Sequence, residues 1–162
     1  MNNQITTIFF DLFGVLLGID QSVITQYLAN TTNNSYFQTR DIAMGEPLMK
    51  FERGEINFDG YILEIQRLLK NGDRINSQDL RNMWVNTEIG DMPAISLIDN
   101  LKNDYKIWIV SNTTERHIRQ LKGKFNFLNL FHGIITSEKA KFHKPNPKIF
   151  TFALEQSNSD IN

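Results

Sequence analysis

Apolar positions along the chain form two patterns, continuous short runs and helical repeats. Three segments, residues 5–10, 106–110 and 133–136, are almost continuously apolar and rich in β-branched or aromatic side chains. Runs of this length predict parallel strands that are covered on both faces. Three helices are predicted between and after these runs. The first begins at the cap Asp91 with Pro93 in its first turn, the second covers residues 114–122, and the third runs from the cap Asn146 to about residue 156. This alternation of strands and helices predicts an α/β fold built from βαβ units.

The stretch after the first run differs because it contains helical periodicity and no strand-like segment. Its clearest helix follows Asn57, a suitable N-cap, and places apolar side chains at the i, i+3, i+4 and i+7 positions. Ser77 is suited to cap the next helix. We therefore predict a helical subdomain at residues 17–90, inserted between the two parts of an α/β core at 1–16 and 91–162.

Three polar residues follow predicted strands or lie in the loops after them: Asp11, Ser111 and Lys144. Open α/β sheets bind ligands in the crevice outside the carboxyl ends of their strands, so we expect these side chains to converge there. A carboxylate, a hydroxyl and an ammonium group together suit nucleophilic attack on phosphorus, with the last two stabilising the transferred oxygens. Taken one at a time, a turn cap, a helix cap and a surface lysine are the simpler interpretations.

Composition narrows the functional classes further. The chain has 162 residues, a formal net charge of -1 and no cysteine. It therefore has no disulfide, thiolate nucleophile or cysteine-type zinc site, and without basic runs nucleic acid is an unexpected partner. With no leader-like start and no run of 18 apolar residues, we expect a cytoplasmic protein without a membrane partner.

The motifs resemble those of the haloacid dehalogenase-like (HAD) hydrolase superfamily. The sequence IFFDLFGVLL is similar to its first motif, with Asp11 in the nucleophile position; KIWIVSN is similar to the second, with Ser111; and HKPNPKIF to the third, with Lys144. The segment MGEPLMKFERGEINFDGY, residues 44–61, resembles the cap of the branch that includes glucose-1-phosphate phosphatase-like proteins and the N-terminal domain of soluble epoxide hydrolases.

This resemblance implies a Rossmann-like, doubly wound core with an inserted helical cap. It implies that Asp11 attacks a small phosphorylated substrate to form an aspartyl-phosphate, while Ser111 and Lys144 hold the phosphoryl oxygens. Mg²⁺ would be bound by the Asp11 carboxylate and the main-chain carbonyl of Phe13, and it suits such a site because it keeps waters and phosphate oxygens as ligands. Asn112 would offer a main-chain donor beside Ser111.

Phe13 is a departure from the family pattern, which usually has a second aspartate there as general acid and base. A phenyl ring transfers no proton, and losing that function is worth roughly 10²- to 10⁴-fold in rate. Dehalogenating members also carry an aromatic residue there, because halide leaves without a proton. A 2-haloacid dehalogenase, with Arg40 as a candidate for gripping halide or carboxylate, and a catalytically inactive binding protein therefore stay open as alternatives.

The fourth family motif, a further strand ending in acidic residues that complete the magnesium site, has no match; Asp160 lies in a polar tail. We therefore expect these 162 residues to be a fragment of a longer protein with an incomplete core. The alternative is a chain that ends at Asn162, borrows a strand from a partner and lacks catalysis. Oligomeric state stays undetermined, and His117, His132 and His143 are interpreted as surface or hydrogen-bonded histidines.

Overall fold

A computed structural model describes residues 5–160, so the ends of the predicted core, 1–4 and 161–162, lie outside the described residues. The strands are β1 Thr7–Phe10, β2 Leu17–Ile19, β3 Ile89–Asp91, β4 Lys106–Ser111 and β5 Gly133–Thr136. The helices are α1 Ser22–Thr32, α2 Tyr36–Ala43, α3 Glu46–Glu52, α4 Phe58–Leu68, α5 Ser77–Asn86, α6 Ile98–Leu101, α7 Glu115–Lys122, α8 Ser137–Ala140 and α9 Pro147–Ser157. Short 3-10 turns cover Gly72–Arg74, Pro93–Leu97 and Asn126–Leu130. In the part of the chain that the structure describes, no helix is long and apolar enough to cross a membrane.

The three apolar runs form one parallel sheet in the order β1-β4-β5. Its register pairs Phe10 with Ile109 and Ser111 with Thr136, so the carboxyl ends of the strands lie side by side. Ile107 and Ile109 of β4 are fully buried, as expected for the strand with a neighbour on each side. The predicted α/β fold with a parallel sheet is confirmed, and within residues 5–160 β1 has only β4 as a neighbour.

The described residues divide into two compact units, residues 5–18 with 90–160 and residues 19–89. The second unit contains α1 to α5, whose apolar faces surround a core that includes Tyr61, Ile65 and Leu80. Tyr61 is fully buried, and its hydroxyl donates a hydrogen bond to the carbonyl of Ala43 at 3.0 Å. Burial raises the pKa of the Tyr61 hydroxyl, which therefore stays protonated and keeps donating.

Local sequence preferences predicted one of two helix N-caps correctly and placed the other one residue too late. Asn57 caps α4 as predicted, because its side chain accepts a hydrogen bond from the Gly60 N–H. The prediction for Ser77 is wrong: Asn76, one residue earlier, accepts from the N–H groups at the start of α5. Both residue types favour the cap position, so local preference did not separate these neighbours.

Asp91 is likewise no helix cap, because it ends β3. A 3-10 turn begins after it, with Met92 as the preceding residue and Pro93 at its start. β3 pairs with β2, a pairing that the sequence did not predict. Both strands have only three residues, which is too short to show a two-residue period.

Candidate active site

Asp11 directly follows β1 and begins a tight turn. Its Oδ1 accepts a hydrogen bond from the Leu12 N–H at 2.7 Å, which fixes the carboxylate against the turn. The N–H groups of Leu16 and Leu17 both donate to the Leu12 carbonyl, and Gly14 adopts a positive φ of 83° that glycine accepts without steric cost. The Asp11 side chain is 42% exposed, so it is held in place yet accessible.

Lys144 lies in the loop before α9 and reaches the ends of two strands. Its Nζ is 2.7 Å from Oδ1 of Asp11, after β1, and donates to the Val110 carbonyl of β4 at 2.9 Å. The Lys144 side chain is only 17% exposed, which reduces the screening of this ion pair by water. One ammonium group therefore connects the carboxyl ends of β1 and β4.

Ser111 is the last residue of β4 and is buried. Its Oγ has no hydrogen-bond partner among residues 5–160. Buried hydroxyls are normally satisfied, so an isolated one at the carboxyl edge of a parallel sheet needs an explanation. A bound polar ligand would supply the partner, since a hydroxyl both donates and accepts.

The side chain of Asn112 forms hydrogen bonds with the loop that carries Lys144. Its Oδ1 accepts from the Lys144 N–H at 2.7 Å, and its Nδ2 donates to the Lys144 carbonyl at 3.2 Å. Nδ1 of His143 lies 3.1 Å from the same Nδ2 and 2.7 Å from the Lys144 carbonyl oxygen. The side chain that follows Ser111 is thus engaged with protein main chain.

The turn after β4, from Thr113 to Glu115, is held by hydrogen bonds from β5 and α8. Ser137 is fully buried, and its Oγ accepts from the Thr113 N–H at 2.9 Å and donates to the Thr113 carbonyl at 3.2 Å. Glu138 accepts the Glu115 N–H at the start of α7, and Thr136 donates to the Glu115 carboxylate. These contacts between separate segments hold the turn after β4, and the sequence carried no signal for them.

Phe13 packs on His117 of α7. Their rings are stacked with centroids 5.3 Å apart and 23° between planes. Nδ1 of His117 is 3.2 Å from Thr113 Oγ1, while Thr114 caps α7 by accepting the His117 N–H. Burial, together with the charge of Lys124, lowers the pKa of His117. The residue that departs from the family pattern therefore contacts a histidine, which spacing in the sequence did not reveal.

This lowered pKa predicts how stability depends on pH. In the unfolded chain the imidazole titrates near pH 6.5, at about its ordinary pKa. As pH falls through that value and on through the folded pKa, the unfolded chain takes up the proton first, so the contribution of His117 to stability is lost. We expect His117→Gln to flatten the acid side of the profile of unfolding free energy against pH, measured by urea denaturation. Parallel profiles for the two proteins would contradict this assignment.

Arg40 lies on α2, in the other compact unit. Its guanidinium forms an ion pair with the carboxylate of Asp41 at 3.2 Å and lies over the Phe37 ring, 5.9 Å from the centroid. The side chain is 53% exposed. The contacts within its own unit thus match those of a solvated helix residue, and the structure adds no ligand-binding contact to the prediction for Arg40.

Magnesium is the metal that the sequence resemblance implies. Residues 5–160 contain no group of three or more histidine, aspartate and glutamate side chains placed to hold a metal ion. Mg²⁺ usually takes one or two carboxylates and completes its octahedron with waters and phosphate oxygens. Among the described residues, the contacts of the Asp11 carboxylate with the Leu12 N–H and with Lys144 both go to Oδ1. One carboxylate together with a main-chain carbonyl fits that donor set.

The chain matches a family model described as haloacid dehalogenase-like hydrolase over residues 5–161. No curated protein matches it by sequence.

Solved structures show the same fold at low identity. One is a HAD family enzyme of Bacteroides thetaiotaomicron in complex with magnesium and inorganic phosphate, at 21% identity and a TM-score of 0.72, covering 97% of this chain and 81% of that one. A HAD-like family hydrolase of Porphyromonas gingivalis has 21% identity and a TM-score of 0.69, with coverage of 96% and 78%. An L-2-haloacid dehalogenase of Xanthobacter autotrophicus with chloropropionic acid covalently bound has 14% identity and a TM-score of 0.63, with coverage of 97% and 66%.

Proposed function

This chain belongs to the haloacid dehalogenase-like hydrolases, and from that premise we propose that it is a magnesium-dependent phosphatase. In this proposal it acts on small phosphorylated metabolites through an aspartyl-phosphate on Asp11. The helical unit at residues 19–89 would serve as the cap. The proposed partners are small molecules, not nucleic acid or membrane, and the proposed location is the cytoplasm.

One observation carries the proposal: Lys144 Nζ bridges the Asp11 carboxylate and the carbonyl of Val110, directly before Ser111. This brings a carboxylate nucleophile, a cation and a buried hydroxyl without a described partner to the carboxyl edge of the sheet. A transferring phosphoryl group carries charge on its equatorial oxygens, which fixed donors stabilise in a partly dehydrated site. The arrangement therefore suits attack on phosphorus better than proton abstraction or hydride transfer.

The covalent step is assigned to the oxygen of Asp11 that the turn leaves available. Oδ1 is held by the Leu12 N–H and by Lys144, so Oδ2 is the attacking atom. Oδ2 forms a bond to phosphorus while the bond from phosphorus to the substrate oxygen breaks, and water later hydrolyses the acyl phosphate. Phe13 supplies no proton to the leaving oxygen, so solvent must provide it, and good leaving groups should be favoured.

Bound Mg²⁺, held by the Asp11 carboxylate and the Phe13 carbonyl, would neutralise phosphoryl charge. The neighbour crystallised with magnesium and phosphate supports this choice of cation and anion.

The proposal is tested by phosphate release from p-nitrophenyl phosphate and a panel of sugar phosphates, with Mg²⁺ and with EDTA. We expect release that requires Mg²⁺ and favours p-nitrophenyl phosphate, since its leaving group needs no general acid. Absence of phosphate release from every substrate with Mg²⁺ present would reject phosphatase activity.

A 2-haloacid dehalogenase is the second candidate, favoured by the aromatic ring of Phe13, which stands two residues after Asp11 and transfers no proton. Displacement of halide by Asp11 needs neither a proton donor nor a metal. Chloride release from 2-chloropropionate that persists in EDTA would select this function. Binding of inorganic phosphate without release of either product would instead select the inactive binding protein.

A further inference from the structure

We propose that the side chain of Asn112 is a positioning residue that delivers Lys144 to Asp11. The effect on activity that we expect rests on the proposed function. The positioning role itself rests on the hydrogen bonds of the planar Asn112 amide. Oδ1 accepts from the N–H of Lys144 and Nδ2 donates to its carbonyl, across 32 residues of sequence. The side-chain amide of Asn112 thus binds the N–H and the carbonyl of Lys144 at once. The main chain of a residue in an antiparallel strand binds its hydrogen-bonded partner in the same way.

The consequence for Lys144 is attachment to β4 at both ends. Its main chain is held by Asn112, one residue beyond β4, and its Nζ by the Val110 carbonyl within β4. A lysine side chain has four flexible methylene groups, so an ammonium on a mobile loop would sample many positions. Holding the main chain in place leaves fewer conformations, and those present Nζ to Asp11 at 2.7 Å.

This role differs from substrate contact through the main chain of Asn112. Both hydrogen-bonding ends of the side-chain amide are engaged with Lys144, and Nδ1 of His143 lies 3.1 Å from Nδ2. The contacts of the Asn112 side chain are thus with the main chain of Lys144 and with the His143 ring, and we assign its effect on a ligand to Lys144. Truncating it should remove the attachment and leave Ser111 and Asp11 in place, because those residues are held by β4 and by the Leu12 N–H.

The test is a double-mutant cycle with Asn112→Ala, Lys144→Ala and the double variant. Each protein is assayed for kcat and KM with p-nitrophenyl phosphate and for the Kd of inorganic phosphate with Mg²⁺. We expect Asn112→Ala to lower kcat/KM by about 10- to 100-fold in the presence of Lys144 and by less than about 2-fold in its absence. An equal loss in both backgrounds would overturn the proposal, since a general structural defect adds independently of Lys144.

Asn103→Ala is the matched control, because this exposed side chain also donates to a main-chain carbonyl, that of Asp99. Urea unfolding of every variant separates loss of folding from loss of function. Should the parent protein neither bind phosphate nor release it, the proposed function fails, and a second measurement still decides the role of Asn112. The ¹³C order parameter at Cε of Lys144 should fall in Asn112→Ala and stay unchanged in Asn103→Ala; an unchanged value in both would overturn the positioning role.

Discussion

Asp11→Asn should abolish phosphate release and prevent trapping of a phosphorylated enzyme. The amide keeps the size of the side chain, and its oxygen still accepts the Leu12 N–H. What it loses is the negative charge that makes the carboxylate a nucleophile and pairs it with Lys144 at 2.7 Å. Without a covalent nucleophile, only substrate binding and electrostatic stabilisation of the transition state contribute to the rate enhancement. We therefore expect kcat to fall by about 10⁴-fold or more.

The measurement is phosphate release under saturating p-nitrophenyl phosphate, with acid-quenched protein analysed by intact mass for one added phosphoryl group. Asp99→Asn is the control, because the Asp99 side chain is 78% exposed and forms a surface ion pair with Lys102. Retained turnover in Asp11→Asn, or a phosphoryl group still trapped on it, would remove Asp11 from the nucleophile role. Halide release should disappear as well if the protein is a dehalogenase, because that reaction uses the same carboxylate.

Gly133→Ala should destabilise the fold by about 1–3 kcal/mol, the usual cost of overpacking a core. Gly133 begins β5 and pairs in register with Trp108 of β4. A methyl group at Gly133 would overlap the six-membered ring of Trp108. The ring packs against the core around Val110 and Ile135, so it has little room to move.

Urea unfolding measures this cost, and Gly90→Ala of β3 is the matched control. A methyl group at Gly90 meets no atom within 4 Å, so that change should be neutral or stabilising by a few tenths of a kcal/mol. In a Trp108→Leu background the penalty at Gly133 should shrink, because the overlapping ring is absent. Equal losses of unfolding free energy in Gly133→Ala and Gly90→Ala would show that the clash is relieved elsewhere.

The main strands and the largest helices follow from local sequence, because apolar runs and helical spacing report burial directly. The predicted run at 133–136 coincides with β5, and the run at 106–110 with β4 except for the final Ser111. The predicted strand at 5–10 is two residues too long, since β1 begins at Thr7. Pairing between β2 and β3 was not predictable, because three-residue strands depend on a partner distant in sequence.

The candidate site divides in the same way. Residue type and position after the apolar runs were enough to predict Asp11, Ser111 and Lys144 as candidate site residues. Their roles come from the resemblance to a known family and are proposals. The stacking of Phe13 on His117 could not be predicted from the sequence, because no periodicity relates residues on separate structural elements.

The sequence by itself determined that this is an α/β protein with polar groups after its strands, because periodicity and strand ends are local properties. The same periodicity predicts the helical insertion at residues 17–90. Only the tertiary structure decided that one ammonium group joins the ends of β1 and β4, that Ser111 Oγ lacks a partner among the described residues, and that Asn112 binds the main chain of Lys144. The contacts of Lys144 join groups more than 30 residues apart in the sequence. The packing of the parallel sheet and its loops brings those groups to hydrogen-bonding distance.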